Sequence, residues 1–234
     1  MKAASSHLAK KLAAFMPLSE RESACLNDLL AAPFAVERGV ELVRQGDERH
    51  FGYVLHSGWG CSFKVLHDGA RQIITFPLPG DCIGMRSVLL RTSDHAFSSL
   101  TDAVVSRIES SRIMQMFNEF PRLGAAILWS VSRDEAITVD HLASIGRRTA
   151  LERTAHFFIE LGERLRLVGL ASGNTFECPL TQNDLADALG LSAIHINRVL
   201  RQLRELDLMT FHDHSVVLLD QRKMRVLAGY DEIA

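Results

Sequence analysis

Ile194, Arg198 and Arg201 recur at intervals of four and three residues. At about 100° per residue, that spacing puts them on one face of a helix. Asn197 and Gln202 flank the face, and Ala193 and His195 stand near its N-terminal end. Between Asp187 and Glu205 there is no acidic residue, but there are three arginines, Arg198, Arg201 and Arg204. These side-chain types can read a DNA major groove. Arginine pairs with guanine O6 and N7, Asn or Gln pairs with adenine, and an apolar tip meets the thymine methyl. Arginines alone would fit a solvated surface helix equally well, so the local fold has to decide.

Two short helices meeting at a tight turn would position this face. Thr181 can cap the first, with Asp184 three residues on in a box-like start. Leu185, Ala186 and Leu189 then share a side. Gly190 can take a positive φ and stop that helix. Ser192 caps the second helix, where Ile196, Val199, Leu200 and Leu203 form the stripe expected to be buried. A capped pair around a glycine turn is a helix-turn-helix, and with the acid-free basic face it predicts DNA contact. On that reading Ser192, Ala193, Ile194, His195, Asn197 and Arg198 are candidate DNA contacts. Thr181, Gln182 and Arg201 are candidates for phosphates, contacts that position the helix without reading sequence.

The rest of the chain must carry this motif. Its 234 residues are 47% hydrophobic and 23% charged, enough for a sizeable core and two domains. A net charge of −2 confines any nucleic-acid binding to a local patch. No run of about eighteen apolar residues predicts a membrane span, and the N-terminus has no signal-like apolar region. Cys25, Cys61, Cys82 and Cys178 are far apart and form no C-x-x-C pair, which suits a reducing cytoplasm and recommends no metal site. Cys178 lies near enough to the helix-turn-helix to be considered as an oxidant sensor; a buried structural thiol is the simpler reading.

Periodicity divides what precedes the motif. Leu8, Leu12 and Phe15 suggest a helix that Pro17 breaks, and Ser19 with Glu22 caps another. From about Pro33 to Ser110, short β-rich runs alternate with turns such as His67-Asp68-Gly69 and Pro79-Gly80-Asp81, the signature of an all-β sandwich or barrel. Pro121 opens a long helix whose residues Ile127, Val131, Thr138, Leu142 and Ile145 lie near one seam, with Glu135 interrupting it. Apolar residues on more than one side require two partners, and a second copy of the same helix is the expected one. Gly146 is the expected hinge, followed by a further helix to about Leu167. Beyond the motif, Leu208–Phe211 and Val216–Leu219 predict a hairpin around His212-Asp213-His214-Ser215, read as a polar turn rather than a metal site. Asp220 and Gly229 bracket a last helix.

This order of parts resembles the Crp/Fnr superfamily of bacterial transcription regulators, most specifically over Leu180 to Leu206, then Pro79-Gly80-Asp81-Cys82-Ile83-Gly84, then Gly146-Arg147-Arg148 with Glu152-Arg153. The resemblance implies an α+β chain. A sensor domain over residues 1–120 would hold a double-stranded β-helix, the jelly roll of cyclic-nucleotide-binding-like domains. A dimerisation helix would follow over 121–146, and a winged helix-turn-helix over 147–234. It implies a cytoplasmic homodimer on double-stranded palindromic DNA, with no enzymatic activity and with RNA polymerase as a candidate further partner. The residues depart from the family's cyclic-AMP receptors. Met85 follows Gly84 where a Glu is expected, His95-Ala96 stand for Arg-Ser, and Thr138 is followed by Val139 rather than Ser. Burying a phosphate without a charge-assisted donor is costly, so cyclic AMP is not the expected ligand. Arg86 and Arg91 are the nearest cations for another anion. The cysteine cluster of the oxygen-sensing branch is missing, so an iron–sulfur cluster is not expected either, and no spacing recommends haem. Where well-known members carry a Glu for base readout, Ile194 stands here, which predicts a different half-site. The competing readings are a cupin-like metalloenzyme, for which His50, His56, His67 and His95 are too isolated, and a sensor whose winged helix binds protein.

Overall fold

The computed structural model describes residues 6–48, 51–85 and 92–230. The chain forms two compact units, Met1–Val65 with Ile74–Ser132, and Leu66–Ile73 with Arg133–Ala234.

In the N-terminal unit, α1 (His7–Ala13) is capped by Ser6 and α2 (Glu20–Leu29) by the Ser19/Glu22 box. Eight strands follow: β1 (Pro33–Val36), β2 (Glu41–Val43), β3 (Phe51–Ser57), β4 (Gly60–Val65), β5 (Arg71–Thr75), β6 (Cys82–Ile83), β7 (Ala96–Ser99) and β8 (Ala103–Glu109). They make two four-stranded sheets, ordered β1-β8-β3-β6 and β2-β7-β4-β5. Strand β3 of the first sheet is buried on both faces along its middle, and the strand period of two sorts its side chains. On β3, Tyr53 and Leu55 enter the roll with Val43, Phe97 and Val105, whereas Val54 turns the other way. There it meets Leu8, Leu12, Leu26 and Ile108 in a second core beneath the helices. Each fully buried Leu or Ile contributes roughly 1.5–3 kcal/mol.

The Pro79-Gly80-Asp81 turn sits under α1. A Cβ on Gly80, at φ +96°, would lie 2.8 Å from the His7 carbonyl carbon, so only glycine allows the helix so close. Asp81 accepts the Leu78 N–H and pairs with Lys11 at 2.8 Å in a buried ion pair. Removing one partner would strand a buried charge, at a cost of about 3–5 kcal/mol.

Helix α3 (Ser110–Glu119), which the sequence pattern did not announce, follows β8 directly. Helix α4 (Pro121–Arg147) follows it. The expected hinge glycine, Gly146, lies inside α4. The break comes after Arg147, where Thr149 and Glu152 form a capping box for α5 (Ala150–Leu167). One glycine costs a helix only about 1 kcal/mol, whereas the box supplies a new start.

The C-terminal unit continues with β9 (Ala171–Ser172), β10 (Thr175–Glu177), α6 (Gln182–Leu189), α7 (Ala193–Glu205), β11 (Met209–His212), β12 (Ser215–Leu218) and α8 (Gln221–Ala228). The expected wing hairpin is present. Its turn residues Asp213 and His214 have φ of 48° and 58°, as a two-residue primed turn requires. The wing is wider than the sequence suggested, because β10 and β9 extend it to the order β11-β12-β10-β9.

Candidate nucleic-acid interface

Helix α6 begins as expected. Thr181 Oγ1 accepts from the Asp184 N–H, and Asp184 Oδ2 accepts both the Thr181 N–H and its hydroxyl hydrogen, at 3.0 and 2.6 Å. Thr181, an expected phosphate contact, therefore has both of its donors on the Asp184 carboxylate in this structure. Gly190 ends α6 at φ +61°, and Ser192 Oγ then accepts the His195 N–H at 3.2 Å to start α7. Leu185, Ile196 and Leu203 are completely buried, with Val199 close to it, while Leu200 is only half-buried.

That packing fixes what α7 turns outward. His195, Asn197, Arg198 and Arg201 are exposed, Ala193 is half-buried, and Ile194 is 77% exposed. Arg198 has no hydrogen-bond or ion-pair partner among the described residues. Arg201 lies 3.8 Å from Glu205 one turn on, an exposed pair worth at most about 0.5 kcal/mol. Gln182, the first residue of α6, is exposed and accepts a hydrogen bond from Asn197 Nδ2 at 3.3 Å.

Sequence reasoning gave Arg153 no role. From α5 it donates to the Leu189 carbonyl at the end of α6 (2.6 Å) and to the Arg148 carbonyl (3.2 Å). A cation at a helix C-terminus satisfies an orphan carbonyl and suits the helix dipole. This clamp beside Gly190 joins residues 36 apart in sequence, so no local pattern could show it. Cys178 is buried, and burial pushes its thiol up to about 12. Oxidant sensing needs an accessible thiolate, and neither condition is met.

The expected seam of α4 needs one correction. Ile127 is buried in the chain's own N-terminal core, and Leu128 is the exposed neighbour. Val131, Thr138, Leu142 and Ile145 are exposed, with Leu142 at 72%. With Leu128 and Glu135 they keep a 3-4-3-4-3 spacing, the a/d pattern of a coiled-coil seam. Thr138 donates its hydroxyl to the Asp134 carbonyl one turn back, which leaves its methyl on the seam.

Behind the seam, α4 and α5 share ionisable residues. His141 and Glu160 are 2.5 Å apart, and Arg164 donates to Glu160 at 3.2 Å. Burial would raise the Glu160 carboxyl, but the charge and hydrogen-bond interactions with His141 and Arg164 hold it at about 2. His156 is buried with neither ring nitrogen hydrogen-bonded, its Nε2 3.4 Å from Asp140. Burial, reinforced by Arg148, pushes its pKa below the ordinary value.

In the roll, Ala96 is buried at the start of β7 and His95 is paired with Asp94 at 2.8 Å. His50, Arg86 and Arg91 lie outside the described residues. Among the described residues no group of three His, Cys, Asp or Glu is placed to hold a metal ion, and no helix is long and apolar enough to cross a membrane.

A β-roll followed by a long helix and a winged helix-turn-helix is the build of a DNA-binding regulator with a sensor-type domain. Known proteins agree. The pattern of a cyclic nucleotide-binding domain matches residues 33–120, and that of a Crp-like helix-turn-helix domain matches residues 152–227. The nitrogen fixation regulation protein FixK of Rhizobium meliloti is 30% identical over 177 residues, 75% of this chain and 76% of that one. FixK of Bradyrhizobium diazoefficiens is 32% identical over 172 residues, covering 71% and 69%. The structure of FixK2 from Bradyrhizobium japonicum superposes with a TM-score of 0.75 at 26% identity, covering 87% of this chain and 98% of that one. The chain belongs to the Crp/Fnr family of transcription regulators.

Proposed function

We propose that this regulator works as a homodimer joined along α4, which presents two α7 helices to successive major grooves of a palindromic operator in the cytoplasm. The exposed face of α7 carries the reading. Ile194 stands out into solvent where a core residue would be hidden, and Arg198 beside it is uncommitted. Arg198 takes guanine O6 and N7, and Ile194 packs on a thymine methyl. Gln182, Ser192 and Arg201 hold phosphates, and Ala193 and His195 border the bases. On α4, Leu128, Val131, Thr138, Leu142 and Ile145 form the seam between copies.

His95 and Ala96 stand where the cyclic-AMP receptors need Arg and Ser, so we propose that the dimer binds its operator without a cyclic nucleotide. Once bound, it engages RNA polymerase. Arg198→Ala on a selected duplex is the test. The proposal expects a loss of about 1–3 kcal/mol concentrated at one G·C pair. A loss under about 1 kcal/mol with unchanged base preference removes Arg198 from this role.

A further inference from the structure

Ile194, Asn197, Arg198 and Arg201 are spaced i, i+3, i+4 and i+7, so Asn197 belongs to the exposed face of α7. It is the member of that face joined to the other helix, through the bond from its Nδ2 to Gln182 Oε1 at 3.3 Å. Both side chains are exposed, and a hydrogen bond between exposed amides adds little to folding. What the bond does is set a direction.

We propose that Gln182 is a positioning residue for base readout. It fixes the amide plane of Asn197 so that Asn197 reads an adenine, while its own remaining donors hold the DNA backbone. This deepens the DNA-reading role proposed for α7 and rests on it.

The donor count allows the arrangement. The Asn197 amide has one acceptor oxygen and two N–H donors. A bidentate contact to adenine uses the oxygen for N6–H and the N–H on the same side as that oxygen for N7. The second N–H points away from the base and is the one available to Gln182. The Gln182 oxygen is then occupied, and its two N–H groups are left for an acceptor. Phosphate oxygens are acceptors only, and Gln182 sits at the first position of α6, where backbone N–H groups and the helix dipole favour an anion.

Both ends of the bridge are held. Thr181 and Asp184 lock the start of α6, and Ile196 and Val199, buried on either side of Asn197, fix its position on α7. Gln182 is uncharged, so it adds nothing to the counterions released on binding, and its removal should leave the salt dependence unchanged.

The test uses the full chain. Duplexes are first selected from a random pool with the wild type. Equilibrium titrations then compare the wild type, Gln182→Ala, Asn197→Ala, the double variant and Gln182→Glu on the selected duplex and on every single base-pair change in one half-site. At one half-site position the wild type should prefer adenine by about tenfold. Asn197→Ala should erase that preference. Gln182→Ala should weaken it several-fold at the same position, and the double variant should be no worse there than Asn197→Ala. Gln182→Glu keeps the acceptor for Asn197 but loses the donors to phosphate, so it should bind every duplex more weakly and keep the adenine preference.

The bridge is overturned if Gln182→Ala weakens all duplexes by one common factor, if the two alanine effects multiply, or if no half-site position prefers adenine. Failure of the wild type to select any shared half-site is a different result, and it removes the DNA-reading role of α7 along with the bridge.

Discussion

Two helices of this molecule expose large aliphatic side chains to nearly the same degree. Ile194 on α7 is 77% exposed, and Leu142 and Leu128 on α4 are 72% and 61%. Their neighbours differ. Ile194 stands among Asn197, Arg198 and Arg201, groups that hydrogen-bond to polar edges. Leu142 and Leu128 continue through Val131 and Ile145 in a seam broken by Glu135. A lone aliphatic tip among donors suits a thymine methyl beside a guanine. An aliphatic seam with a 3-4 spacing suits a second copy of itself. Exposure of an apolar residue therefore says little until the face around it is read.

The contrast can be broken most severely on α4. Leu142→Arg would bury an unpaired charge in the proposed dimer seam and should cost about 3–5 kcal/mol of association. Sedimentation should show monomers, and operator binding should fall with the dimer population. An unchanged dimer would move the interface elsewhere. Next in size is the Arg153 clamp at the end of α6. Arg153→Met leaves the Leu189 carbonyl without its charged donor, at about 1.5–3 kcal/mol, and thermal denaturation should show the winged unit destabilised. On α7 itself, Arg201→Ala should weaken binding almost equally on all duplexes and reduce the salt slope by about one, as loss of a phosphate contact does. A change in base preference would instead make Arg201 a reader.

The smallest effect concerns pH. His156 has its pKa lowered by burial from an ordinary value of 6.5. The unfolded chain therefore takes up this proton more readily than the folded one, and stability falls as pH drops below about 6.5 until the lowered folded value is reached. Glu160 acts in a separate window. Held at about 2 against an ordinary 4.5, it stabilises the fold above 4.5 and loses that effect as pH falls towards 2. His156→Phe should therefore lose less thermal stability than the wild type between pH 7.5 and 5.5. Equal losses would show that His156 does not carry the dependence.

Much of the α7 site was legible because its signals are local. Thr181 with Asp184, Gly190, Ser192, Asp220 and Gly229 each mark a helix end through a side chain or a φ that acts within three residues, and all five act there. Ile196, Val199 and Leu203 followed from periodicity. Helix α3 was missed for the converse reason: its first turn has no side-chain cap to announce it. Ile127 was placed on the wrong side because the buried residues Leu123, Ala126 and Ile127 also keep a helical spacing, so only the packed core shows which stripe is covered. The Arg153 clamp and the strands β9 and β10 depend on chain segments that meet only after folding.

The account stands most directly on the DNA that the purified full-length protein selects from a random pool. It predicts an inverted repeat with half-site centres about one helical turn, roughly 34 Å, apart, each half containing a G·C pair that Arg198→Ala no longer requires. A selected pool with no two-fold repeat, or a repeat unchanged in every position by Arg198→Ala, would contradict the assignment of α7 as the reading helix.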